Sequence, residues 1–159
     1  RYLRTSLQSA LAFRAYGYVS EGVRPRAIQI GGTWLLRGYP LFSFDNPVSG
    51  TKAWVANAEW RVPLTNFVTI GFPFGAIRFP QIQGALFNDF GQAWYDGGYA
   101  PRVLGSAGLG FRTAIIPGLV FRLDVGSRYS PNPEARGVAG TSSGFYRGRF
   151  VDFFFGYNY

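Results

Sequence analysis

Residues 30–40 read IGGTWLLRGYP, a stretch whose residue types point to one specific interaction. A glycine pair, Gly31 and Gly32, is followed by an apolar run and then by Arg37, Gly38 and Tyr39. An arginine set between an apolar residue and a glycine has no local backbone reason to be there. Gly38 removes a neighbouring side chain, so the backbone can pack closely. Tyr39 adds a large flat anchor with one polar tip. This is how a loop tip is built when it folds back into a cavity and docks a cation. The simpler alternative is a surface turn, since three residues make a short motif. A cation that leaves bulk water needs an anionic receptor. Glu59 and Asp89 are the candidates, each on the side of an alternating stretch opposite its tryptophans.

Other chemistry finds little support. His and Cys are absent, which removes the usual general base, the commonest metal ligand and any disulfide framework. The hydroxyl-rich TSSG at residues 141–144 has no base beside it and reads as loop. No paired carboxylates stand in a recognisable catalytic motif. The expectation is a protein that is not an enzyme and carries no metal or cofactor. Net charge is +8, from fifteen arginines and the single Lys52 against eight acids. These cations are scattered along the chain rather than clustered, which argues against nucleic acid as a partner.

The elements that must position these residues are strands. Residues 51–64 alternate cleanly: Trp54, Ala56, Ala58, Trp60 and Val62 on one side, Asn57, Glu59 and Arg61 on the other. The same period predicts strands at about 6–20, 81–94, 105–115, 119–129 and 146–159. In the first, Leu7, Leu11, Phe13 and Ala15 oppose Gln8, Arg14 and Tyr16. Pro63 ends the second. Asp96, Gly97 and Gly98 make a turn, and Pro117 and Gly118 a shorter one. Residues 21–50 read as a long irregular loop carrying the Arg-Gly-Tyr tip, and 130–144 as a polar loop. Residues 65–80, rich in Gly, Pro and Phe, show no alternation and read as an apolar connector near an interface.

Composition suits a membrane barrel. Glycine (22 residues) and aromatics (19%) are high, charge is 15%, and mean hydropathy is +0.02. No run approaches the roughly 18 apolar residues of a membrane helix. Alternating strands with apolar groups toward lipid and polar groups toward a lumen keep hydropathy near neutral, and aromatics fill the interfacial belts. On this reading Leu86, Leu109, Phe111, Phe121, Leu123, Phe153 and Phe155 face lipid. Arg112, Arg122 and Asp124 face the lumen, with Glu59 and Asp89. Long loops after the first, third and fifth strands are extracellular, and the tight turn after the fourth is periplasmic. The end of the chain supports this. Phe153, Phe155, Tyr157 and Tyr159 share one face, with Gly156 on the other. In water so aromatic an edge invites aggregation; contact with lipid removes that liability.

Together these segments resemble the C-terminal part of the barrel of the BamA/TamA superfamily, the bacterial surface antigen family. The glycine pair and Arg37-Gly38-Tyr39 match its sixth extracellular loop. ALFNDFGQAW at 85–94, AWVANAEWRVPL at 53–64 and GSAGLGFRTAIIPGLVFRLDVG at 105–126 resemble its strands, and the aromatic C-terminus its terminal assembly signal. Asn88 departs from the pattern, being polar where an apolar residue is usual. The resemblance implies that this chain, 1–159, is the C-terminal third of an outer-membrane barrel of about sixteen strands. The absent N-terminal methionine and signal segment fit a processed product or fragment. A complete barrel of about eight strands is the rival, with extra strands within 25–41 and 67–79.

The resemblance also implies that Arg37 folds inward and meets Glu59 and Asp89. Without such docking, those carboxylates would join a solvated ladder with Arg14, Arg61, Arg112 and Arg122. Implied partners are the lipid bilayer, the rest of the barrel with N-terminal periplasmic domains, client polypeptides and subunits of an assembly machinery. Implied function is insertion or translocation of polypeptides through a lateral seam, in a Gram-negative-type outer membrane. The alternative is an anchor or exit pore for an attached domain.

Overall fold

A computed structural model describes residues 2–4, 9–41, 48–97, 103–116, 119–130 and 148–157. Among them every regular element is a strand. These are β1 (Tyr2–Arg4), β2 (Ala10–Val19), β3 (Ile28–Gln29), β4 (Ser49–Gly50), β5 (Lys52–Pro63) and β6 (Val68–Phe72). They continue with β7 (Gly75–Phe79), β8 (Ile82–Trp94), β9 (Leu104–Ile116), β10 (Leu119–Tyr129) and β11 (Arg149–Tyr157). Six long strands form one antiparallel meander, β2-β5-β8-β9-β10-β11, with the short β1 on the outer edge of β2.

Period-2 alternation and the pairing register together sort the side chains into two faces. One row runs Leu11, Trp60, Leu86, Leu109, Val125, Val151, each the direct partner of the next. The neighbouring row contains Val62, Gly84, Phe111, Leu123 and Phe153. This face is open, and Trp60, Leu86, Leu109, Phe111, Val125, Phe153 and Phe155 are exposed on it. Glu59, Asp89, Arg112 and Asp124 stand on the other face and are buried. Asn88 lies on the open face, where it accepts a hydrogen bond from the Tyr129 hydroxyl at 2.5 Å. Its polarity is met by a neighbour and needs no change of register.

What buries the second face is the segment between β2 and β5. Ile30, Leu36, Tyr39 and Val48 from that segment pack on Ala53, Val55, Ala93 and Leu104 of the sheet. This core sits at one end of the face.

Several elements differ from the expectation. Residues 21–50 are not wholly irregular, since β3 and β4 pair as Ile28 with Gly50 and Gln29 with Ser49. A two-residue ladder is too short to show a period. Residues 65–80 are not a plain connector: β6 and β7 form a hairpin in a two-stranded sheet of their own. The two runs do alternate, Thr69 and Gly71 against Ile70 and Phe72, but each is only five residues long and the flanking Phe67, Pro73 and Phe74 mask the period. Strands therefore do lie within 25–41 and 67–79, but neither ladder joins the main sheet. β1 was not foreseen, being three residues long. The expected start of the first strand at 6–8, the Pro117 and Gly118 turn, Gly98, residues 146–147 and Tyr159 lie outside the described residues.

Candidate functional site

The segment leading to the tip closes on itself before it reaches the sheet. Ile30 N–H donates to Val48 O at 2.8 Å, Leu36 N–H to Ile30 O at 2.9 Å and Gly32 N–H to Tyr39 O at 2.7 Å. A Cβ on Gly31 would strike the Pro40 carbonyl, and Gly32 turns at φ 101°. The glycine pair therefore lets the two arms of the tip cross in contact, leaving Arg37 at its apex.

Arg37 lies 4% exposed against the polar face of the sheet. Its Nε donates to Asp89 Oδ2 at 2.5 Å and its Nη2 to Asp89 Oδ1 at 2.7 Å, a bidentate fork on one carboxylate. Nη1 donates to Glu59 Oε2 at 2.9 Å and lies 3.6 Å from Asp124 Oδ2. The flat side of the guanidinium covers the Phe87 ring, its Cζ 3.8 Å from the ring centroid. Burial works against this charge. The hydrogen bond to Asp89 and the fields of Asp89, Glu59 and Asp124 outweigh it, so the pKa of Arg37 lies above its ordinary value.

The flanking residues fix the tip. Gly38 has φ 81°, and a Cβ there would run into the Phe150 ring. Its N–H donates to Asp152 Oδ2 on β11 at 2.8 Å. The buried Tyr39 hydroxyl donates to Gly105 O at 3.0 Å. Burial pushes that phenol above its ordinary pKa, so it remains a neutral donor. Asn57 Nδ2 donates to Leu35 O at 2.8 Å, and Arg14, which also donates to Asn57 Oδ1, reaches Trp34 O.

The structure thus brings together Gly31, Gly32, Arg37, Gly38 and Tyr39 with Glu59 and Asp89. Of the arginines expected as a ladder, Arg61 and Arg112 meet Glu59 and Arg122 meets Asp124, whereas Arg14 bonds Asn57 and the Trp34 carbonyl instead. Arg112 Nη2 donates to Glu59 Oε2 at 2.7 Å, Arg61 donates to Glu59 Oε1, and Arg122 Nη2 lies 2.5 Å from Asp124 Oδ2. Alternation puts Asp124 on this face but does not link it to Arg37, and it gives Asp152 no role. It also misses the seat beneath the tip. Phe87, Gly108, Gly126 and Phe150 form one row across β8, β9, β10 and β11. A Cβ on Gly108 would meet the Phe87 ring, and one on Gly126 the Phe150 ring. The two glycines let both rings lie flat as a floor for Arg37 and Gly38. The signal for this was the Gly108 and Gly126 positions, small residues opposite bulky apolar ones.

At the far end, Phe153 and Phe155 are exposed on the open face, while Gly156 pairs with Val120 and Tyr157 with Leu119. Among the described residues no cluster of potential metal ligands occurs. What the arrangement can do is hold a loop tip against a sheet through a multidentate charge contact, with Asp152 tying the same tip to the last strand. No family model, no curated protein and no solved structure matches this chain.

Proposed function

We propose that this chain is the C-terminal part of an outer-membrane β-barrel of the BamA/TamA type, acting in polypeptide insertion or translocation. The observation that carries the reading is the Arg37 tip, bound to Glu59 and Asp89 on one face of a meander whose opposite face is exposed and apolar. An apolar outer face and a polar inner face are what a barrel wall in lipid requires. A charged loop tip held against the inner face braces that wall from within. The tip reaches β11 through Asp152, so the brace extends to the strand that would border a seam. An unpaired edge there would template an incoming strand by main-chain hydrogen bonds.

Depletion of the full-length protein in its native cell tests this. The expected outcome is loss of other barrel proteins, or of one secreted client, from the outer membrane, restored by the wild-type gene and poorly by Arg37→Ala. Unchanged levels of every outer-membrane and secreted protein would remove the assembly reading and leave the passive anchor.

A further inference from the structure

Beside the loop tip, on the same face of the sheet, lies a cavity of about 280 Å³. Arg61, Arg112, Arg122 and Gln83 line it, with Trp34 and Phe154 closing one side. These two rings meet edge to face at 4.7 Å. No carboxylate among the described residues lines it. We propose that this cavity binds an oxyanion group, a carboxylate or a phosphate.

Three observations support the assignment. First, Arg112 and Arg122 are direct cross-strand partners on β9 and β10, and Gln83 is the partner of Arg112 on β8. Like charges placed directly opposite each other destabilise a sheet. An anion between them turns that repulsion into attraction. Second, the available carboxylates are already shared. Glu59 serves Arg37, Arg61 and Arg112, Asp124 serves Arg37, Arg112 and Arg122, and Asp89 is held by both arms of the Arg37 fork. The side of the cluster that faces the cavity therefore carries excess positive charge. Third, Arg112 is 8% exposed and incompletely paired, its Nη1 lying over Gly110 beside Asp124 Oδ1 with neither atom in a hydrogen bond. An arginine buried with unused donor capacity is costly unless a ligand completes its surroundings. Guanidinium forks suit either oxyanion, the amide of Gln83 offers a further donor, and the volume admits one small anionic group rather than a folded segment.

The site stands on its own geometry and is independent of the assembly function. Its test is calorimetric titration of the full-length protein in detergent, at low ionic strength, with inorganic phosphate and separately with glutarate. Saturable heat is expected from at least one probe and none from chloride. Saturation by phosphate alone identifies a phosphate ligand, and by glutarate alone a carboxylate. Saturation by both, in mutual competition, marks a general oxyanion site. Arg122→Gln should weaken binding tenfold or more. Should that variant fail to assemble, Gln83→Leu keeps every charge and should still weaken binding several-fold. Absence of saturable binding by either probe, or wild-type affinity in both variants, overturns the proposal.

Discussion

At the scale of single residues, Arg37 decides how the loop sits. Its guanidinium makes two bonds to Asp89 and one to Glu59 and stacks on Phe87, so four contacts depend on one planar group. Arg37→Ala leaves Asp89, which is fully buried, without its principal partner. Breaking such a pair costs on the order of 3–5 kcal/mol, much of it the cost of the stranded charge. The expected outcome is a loop that opens to added protease while the sheet stays folded. Arg37→Lys should protect the loop poorly, because a point charge cannot span both Asp89 oxygens and also reach Glu59. Limited proteolysis followed by mass mapping within residues 21–50 measures both; equal protection of all three proteins would show that the fork holds nothing. A buried ion cluster is weak evidence for stability in itself, and its use here is to fix one position of the loop. Arg37, Glu59 and Asp89 were legible in the sequence for a simple reason. Alternation assigns a face to every strand residue, and an arginine wedged between Leu36 and Gly38 stands out. Asp124, Asp152, Phe87 and Phe150 were not, because their proximity to the tip depends on the pairing register of four strands.

At the scale of elements, the long strands were readable and the short ones were not. β5, β8, β9, β10 and β11 alternate between an apolar and a polar side, and that contrast survives in the sequence as a period of two. Alternation puts β10 at residues 119–129, as observed. β6 and β7 alternate over only five residues each, between phenylalanines and prolines that mask the period, while β3 and β4 are two residues each and have no period to detect. β11 joins two separate surfaces. Phe150, Asp152 and Phe154 meet the loop, the last through Trp34, while Val151, Phe153 and Phe155 belong to the open face. The aromatic positions of the open side continue in sequence to Tyr157 and Tyr159. On the proposed reading these end residues serve recognition during assembly more than stability afterwards. Deleting Tyr159, or replacing Tyr157 and Tyr159 by aspartate, should lower the outer-membrane level several-fold in cells. Material refolded in detergent should keep nearly wild-type unfolding behaviour. Equal cellular levels would separate the aromatic end from assembly, and equal losses in both settings would make it an ordinary stabilising strand.

At the scale of the whole molecule, the two faces of the sheet ask for different surroundings. The loop and its cluster cover one face, whereas the other carries the apolar row from Leu11 to Val151, beside a mixed row of Phe13, Ala58, Asn88, Ala107, Ser127 and Arg149. Contiguous apolar surface of this extent marks contact with lipid or with another protein. A barrel in lipid satisfies both faces at once, because alternate residues of every strand meet either hydrocarbon or the interior. Tryptophans report on the difference. Trp60 stands in the central apolar row and is exposed on the open face, while Trp34 sits on the loop side against Phe154. Two single-tryptophan forms of the full-length protein, one keeping Trp60 and one keeping Trp34, can be refolded into vesicles whose acyl chains carry bromine. Bromine quenches an indole only on near contact, so the depth and side of each ring are read directly. Trp60 should lose most of its emission. Trp34 should lose little, because the sheet stands between it and the acyl chains. Replacing Leu109, the neighbour of Leu86 in the same row, by arginine should cost roughly 2–4 kcal/mol if that row lies near the bilayer midplane. Strong lipid quenching of Trp34, or none of Trp60, would mean that the open apolar face meets something other than a membrane.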